Sequence, residues 1–449
     1  MGEEAVGLDR RLGGFSNDAE VDVWRSDQRR GMGRWLCGLI RLTALDFTEL
    51  ASLTAVGDGW LHYCISLTEV DFTGLTNLRT VGHSWLHQCT DLTALDCNGL
   101  AELATVGDGW LRDCANLLCV DFTGLTQLAT IGHSWLDGCT SLTSVDFTGL
   151  THLTTVGRSW LYCCARLTAL DCSGLARLAR VGDNWLYGCT SLTSLDWLEL
   201  PKLATVGHGW LHGCISLTAL DCATLAQLAT VGDKWLSACP RLHSLNFTGL
   251  GQLVDVGHYW LYSCTSLTAL DCTRLTQLAM VGHSWCSGCT SLTSLECTGL
   301  SQLVRVGDSW LSNCTSLTAL DCVGLTQLTA VGHRWLSCSA LSALDCRGLS
   351  QLAKVGDYWL AGCACLSALD CGCLFQIATV GDCWLARCTS LTALDAPPML
   401  LTHRVVSLPP MKKRRAHVAL YNPSVASIRL SCRKLGVEKQ SIRTYRLRL

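Results

Sequence analysis

A tryptophan at a fixed interval constrains this chain more than any other feature. Trp60, Trp85, Trp110 and their successors recur every 25 residues as far as Trp335, and after one step of 24 the series continues at Trp359 and Trp384. A strict short period means a stack of small units, each burying its apolar side against its neighbours. The 449 residues, which would otherwise suggest several globular domains, therefore read as one array with two non-repeating ends. The short step lies in Leu336-Ser337-Cys338-Ser339, a connecting segment able to absorb a missing residue.

One repeat, Leu67 to Thr90, shows the expected local structure. Leu67, Val70 and Phe72 alternate as a short strand should. Thr73-Gly74 turns the chain, and Leu75 and Leu78 point back inside. Thr80-Val81 reads as a second brief extended piece, ended by Gly82. The Trp-Leu-x-x-Cys that follows has the apolar spacing of one or two helical turns. In the preceding repeat Asp58 stands where it would cap such a helix. The 30 cysteines fit this scheme as core thiols. One set recurs four residues after the Trp; the other, beginning with Cys97 and Cys172, occupies a position filled elsewhere by Phe47, Phe72, Phe122 or Trp197. A site that accepts Cys, Phe or Trp asks for an apolar group, and a free Cys packs as one.

These residues carry a resemblance. L-x-x-L-x-L on a 25-residue period looks like a leucine-rich repeat. Val-Gly-Asp-x-Trp-Leu-x-x-Cys-Thr-Ser-Leu-Thr-x-Leu resembles, more narrowly, the BspA-like (Treponema-type) class. The resemblance covers about four-fifths of the chain. It implies an α/β solenoid of about 14 repeats, with a parallel concave sheet and short helices on the other side. The Asn that most such repeats place after the strand is absent, and Leu75, Leu100 and Leu125 stand near there. Thr73, Thr123, Thr148 and Thr273 are expected to supply some of its hydrogen bonds.

Three parts follow: an N-terminal cap (1–34), the solenoid (35–396) and a C-terminal extension (397–449). The extension holds twelve Lys or Arg against Glu438 alone, near +11, which leaves 22 bases against 36 acids, near −14, elsewhere. Within it Lys412, Lys413, Arg414 and Arg415 resemble a nuclear-import or polybasic signal. No stretch is apolar enough for a membrane span. The opening residues do not read as a secretory signal, which points to an intracellular chain in cytoplasm or nucleus. The family resemblance implies the cell surface instead.

Two outward columns are candidate sites. The first is an acid file: Asp46, Asp71, Asp96, Asp121, Asp146, Asp171, Asp196, Asp221, Asn246, Asp271, Glu296, Asp321, Asp345, Asp370 and Asp395. Carboxylates ~5 Å apart repel by roughly 0.8 kcal/mol per pair in water and about 3 kcal/mol at an effective dielectric of 20. Such a file gathers cations or binds something basic, unless each Asp simply hydrogen-bonds a nearby Thr. The second column follows Val-Gly and nearly alternates Asp with His: Asp58, His83, Asp108, His133, Arg158, Asp183, His208, Asp233. A pairing that recurs throughout is not a catalytic centre, and ligands along a rail do not converge on a metal. The expectation is a non-enzymatic scaffold without cofactor, binding a protein or basic peptide on the acid file. The alternatives are nucleic-acid or anionic-surface contact through the basic extension, and surface adhesion of the BspA-like kind. Oligomeric state is left open.

Overall fold

The computed structural model describes residues 36–47, 50–196, 200–397 and 400. Most of the expected cap and extension, including Lys412, Lys413, Arg414 and Arg415, lies outside them. The fold is a parallel-sheet β-solenoid of about 14 coils. Chain contacts divide it into two units, Met1–Cys239 and Pro240–Leu449.

In the first unit each coil contributes a three-residue and a two-residue strand. The three-residue strands, such as Ala94–Asp96, Cys119–Asp121 and Ser144–Asp146, pair in parallel with Asp96, Asp121 and Asp146 in register. The two-residue strands run as a continuous parallel ladder from Ala55–Val56 to Thr230–Val231. Val81, Val106 and their equivalents turn inward while Thr80 and Thr105 face out. The second unit repeats the plan. Its two-residue ladder runs from Asp255–Val256 to Thr379–Val380, and Ala319–Asp321 to Ala393–Asp395 form a four-stranded sheet.

The core of each unit is a set of columns. In the first, Trp60 through Trp235 are fully buried, and their rings stack at centroid distances of 4.8–5.7 Å within 9° of parallel. In the second, Trp260 through Trp384 stack at 5.1–5.7 Å. Beside the indoles runs a thiol column. Cys89, Cys114 and Cys139 donate their S–H to the carbonyls of Leu61, Leu86 and Leu111 at 3.0–3.1 Å. Burial pushes these thiols well up, Cys64 to about 12.

The expected short helices are absent from the described elements, all of which are strands joined by turns. The reason is visible in the backbone of Ser84-Trp85-Leu86-His87-Gln88. Ser84, Leu86 and Gln88 have φ of 61°, 54° and 60°, so alternate residues are left-handed and no helical turn can close. The backbone groups bond across coils instead. Leu86 N–H donates to Trp60 O at 3.1 Å, and Gln88 N–H to Arg112 O at 2.8 Å. A left-handed Leu costs about 1–2 kcal/mol; full burial of its side chain, worth ~1.5–3 kcal/mol, offsets it. Tight stacking also explains the glycine of Val-Gly. A Cβ on Gly107 would sit 2.7 Å from Gly82 C and His83 N, inside the neighbouring backbone.

The missing residue falls where expected, between a Trp segment and the strand Ala343–Asp345. Ser339 occupies the thiol column there. Its hydroxyl donates to Leu336 O at 2.9 Å and lies 3.2 Å from Cys363 Sγ.

Candidate functional site

The acid file exists as a file, and each acid has a local task. The carboxylate Oδ1 accepts the backbone N–H two residues on: Asp71 from Thr73, Asp96 from Asn98, Asp121 from Thr123 and Asp146 from Thr148, each at 2.8 Å. Asp171, Asp221, Asp271, Asp321 and Asp370 do the same at 2.7–2.9 Å. This is the Asx turn that a short acid offers the chain at the end of a strand. Thr123 and Thr148 add their hydroxyls to the same oxygens at 2.6 and 2.7 Å. Asn246 and Glu296 satisfy the turn as well, at 3.0 and 3.1 Å. Only one oxygen of each carboxylate is needed for it. Asp196 stands opposite Asp171 in the ladder.

The file differs between the two units. In the second, the Arg347 guanidinium reaches both oxygens of Asp345 and holds that carboxyl below its ordinary range. The chain supplies its own cation there. In the first unit Asp96, Asp121, Asp146 and Asp171 line a shallow hollow of about 550 Å³, floored by Ala94, Cys119 and Ser144. Small side chains beside four carboxylates leave room for a long cationic side chain or an extended segment.

The Asp/His column has a different role from the expected helix cap. Asp58 Oδ1 accepts His83 N–H at 2.8 Å, and His83 Nδ1 accepts Asp108 N–H at 2.9 Å. The pattern continues through His133 and His208 in the first unit, and through His258, His283 and His333 in the second. Each side chain therefore caps the coil after it. Asp and His interchange because Oδ1 and Nδ1 reach the same donor, which places the proton of each neutral ring on Nε2. Among the described residues no group of three or more His, Cys, Asp or Glu could hold a metal ion.

A third constellation was not visible from the period. The residues after the left-handed Leu of the Trp segment are Cys37, His62, His87, Arg112 and Asp137 in successive coils. Cys37 Sγ lies 3.9 Å from His62 Nδ1. The His62 ring stacks on His87 at 4.8 Å, and His87 Nε2 lies 3.3 Å from Asp113 Oδ2. Arg112 bridges Asp113 and Asp137 at 3.5 Å each. The second unit puts Ser287, Ser312 and Ser337 in this column. Scanning each column for chemistry that does not repeat would have found it.

These coils and columns define a leucine-rich-repeat solenoid. The BspA type Leucine rich repeat region, in 6 copies, matches residues 37–129, 121–200, 179–318 and 255–392. The chain belongs to this family. Among solved structures, a leucine-rich repeat protein from Bacteroides ovatus is similar at 16% identity and a TM-score of 0.53, covering 84% of this chain and 94% of its own. The functional domain of InlJ from Listeria monocytogenes, which includes a cysteine ladder, is 20% identical with a TM-score of 0.34, over 78% of this chain and 75% of that one. The T. pallidum leucine-rich repeat protein is 18% identical with a TM-score of 0.31, over 39% and 76%. No curated protein matches the sequence. Leucine-rich-repeat proteins are generally interaction or surface-adhesion scaffolds rather than enzymes. No helix among the described residues is long and apolar enough to cross a membrane.

Proposed function

We propose that this chain is a non-catalytic scaffold that binds a basic protein or peptide segment along its acid file. The observation that carries the reading is the hollow in which Asp96, Asp121, Asp146 and Asp171 stand over small residues. Side chains from Asp71 to Asp146 and at Asp171, Asp221, Asp271, Glu296, Asp321 and Asp370 extend the file in their own units; Asp345 is occupied by Arg347. Membership in a family often associated with cell surfaces supports a surface-associated scaffold.

The test is a triple change, Asp96→Asn, Asp121→Asn and Asp146→Asn. Asn keeps the turn, as Asn246 does already, so charge is removed without the fold. At about 0.5 kcal/mol per exposed charge, affinity for a lysine-rich peptide should fall about tenfold. Unchanged affinity with an intact circular dichroism spectrum would sink the reading. A chain lacking residues 401–449 should bind the peptide as well as the full chain. The extension is itself basic and cannot attract a lysine-rich peptide by charge, so loss of binding on its removal would also count against the reading.

A further inference from the structure

The row from Cys37 to Asp137 is chemically distinct from every repeated column. Five features make it a site. Cys37 Sγ lies 3.9 Å from Nδ1 of His62, within reach for the thiol proton to pass to a ring whose Nδ1 is unprotonated. His62 lies flat on His87, 4.8 Å away and 13° from parallel. Burial pushes His87 below its ordinary value. Asp113 fixes the His87 ring through Nε2, and Arg112 in turn anchors Asp113. Tyr63 meets the edge of His62 at 6.3 Å.

We propose that Cys37 is a nucleophilic thiol, with His62 as its base, that exchanges with a small-molecule disulfide to form a mixed disulfide. Cys37 gives its proton to His62 Nδ1, and the thiolate attacks one sulfur of the disulfide. A new S–S bond forms as the old one breaks, and the departing thiolate takes the proton from the imidazolium. One disulfide is consumed and one is made, so no further oxidant is required. His87 and Asp113 are positioning residues.

The surroundings make the adduct persistent. The nearest ladder thiol, Cys64, donates to Leu36 O at 3.1 Å, and burial pushes it up to about 12. It is therefore a poor attacker on a neighbouring disulfide. Among the described residues the exposed thiols elsewhere are Cys119, Cys338 and Cys365. Cys119 lines a hollow with four carboxylates.

The experiment treats the full chain with hydroxyethyl disulfide, a neutral probe, and maps modified cysteines by mass against time. An ordinary thiol is only about 3% thiolate near pH 7. A thiolate paired with an imidazolium gains up to roughly thirtyfold in population, trimmed by its weaker nucleophilicity to about tenfold in rate. Cys37 should react about tenfold faster than Cys119, Cys338 and Cys365 near pH 7. His62→Gln should remove that advantage near pH 7 and leave the rate unchanged near pH 9.5, where any thiol ionises. An unchanged circular dichroism spectrum and thermal midpoint show separately that the variant is folded. Asp113→Asn, which leaves the Cys37–His62 pair in place, should slow the reaction less. Cys37 reacting no faster than the three exposed thiols, or a pH profile unaltered by His62→Gln, overturns the proposal.

Discussion

Trp160 is the sharpest place to test how the core is held. It is fully buried, stacked 5.4 Å from Trp135 and 5.1 Å from Trp185, with Phe147 edge-on at 5.5 Å. Its Nε1–H has no hydrogen-bond partner. A buried donor without an acceptor costs about 1–3 kcal/mol. Trp160→Phe opens a void of roughly 40 Å³, worth about 1 kcal/mol, and weakens two stacked pairs by about 1 kcal/mol together. It also removes the unbonded donor, so the net change should lie within about 1 kcal/mol of zero. Trp160→Ala removes the same donor but leaves a far larger void and no ring to stack, and should cost ~3–5 kcal/mol. Repeat arrays open coil by coil, so the measurement is hydrogen exchange at Leu161 and Leu186, whose amides bond to Trp135 O and Trp160 O. If Trp160→Phe costs well over about 1 kcal/mol, the indole N–H is not the burden that the packing implies.

Three further outcomes follow from the same geometry. Gly107→Ala places a methyl group 2.7 Å from the Gly82 and His83 backbone; it should destabilise that coil by ~3 kcal/mol or more, read as a lowered thermal midpoint. Because burial holds His87 below its ordinary 6.5, the unfolded chain takes up that proton first. The stability it contributes is present above pH 6.5 and is lost as pH falls through the lowered folded value, so His87→Gln should flatten the acid limb of a stability–pH curve. Nitrogen-15 NMR should find the neutral rings of His83 and His208 protonated on Nε2, since Nδ1 of each accepts a backbone N–H.

Much of this was legible in the sequence. The Trp register, the Cys/Phe exchange at Cys97 and the alternation around Leu95 each report burial, and burial repeats with the period. The segment Trp85-Leu86-x-x-Cys89 misled because its apolar spacing satisfies a helix as well as the alternating left-handed path. What separates them is where Leu86 N–H finds its acceptor, and that acceptor, Trp60 O, lies one coil away. The Asp96 column was correctly read as outward, and its bond to Asn98 N–H shows that duplication and turn chemistry also explain its persistence. Cys37, His62 and His87 escaped notice for the opposite reason. A period draws attention to what recurs, and that column has no fixed residue type.

The stacked indoles have one more consequence. Within each unit, neighbouring rings stand within 16° of parallel and about 5 Å apart. Transition dipoles in that arrangement couple, so light absorbed by one tryptophan is shared along the column before it is emitted. The native protein should show split near-ultraviolet circular dichroism bands and strongly depolarised tryptophan emission. Both signals report stacking itself, and both should fade coil by coil as an array comes apart.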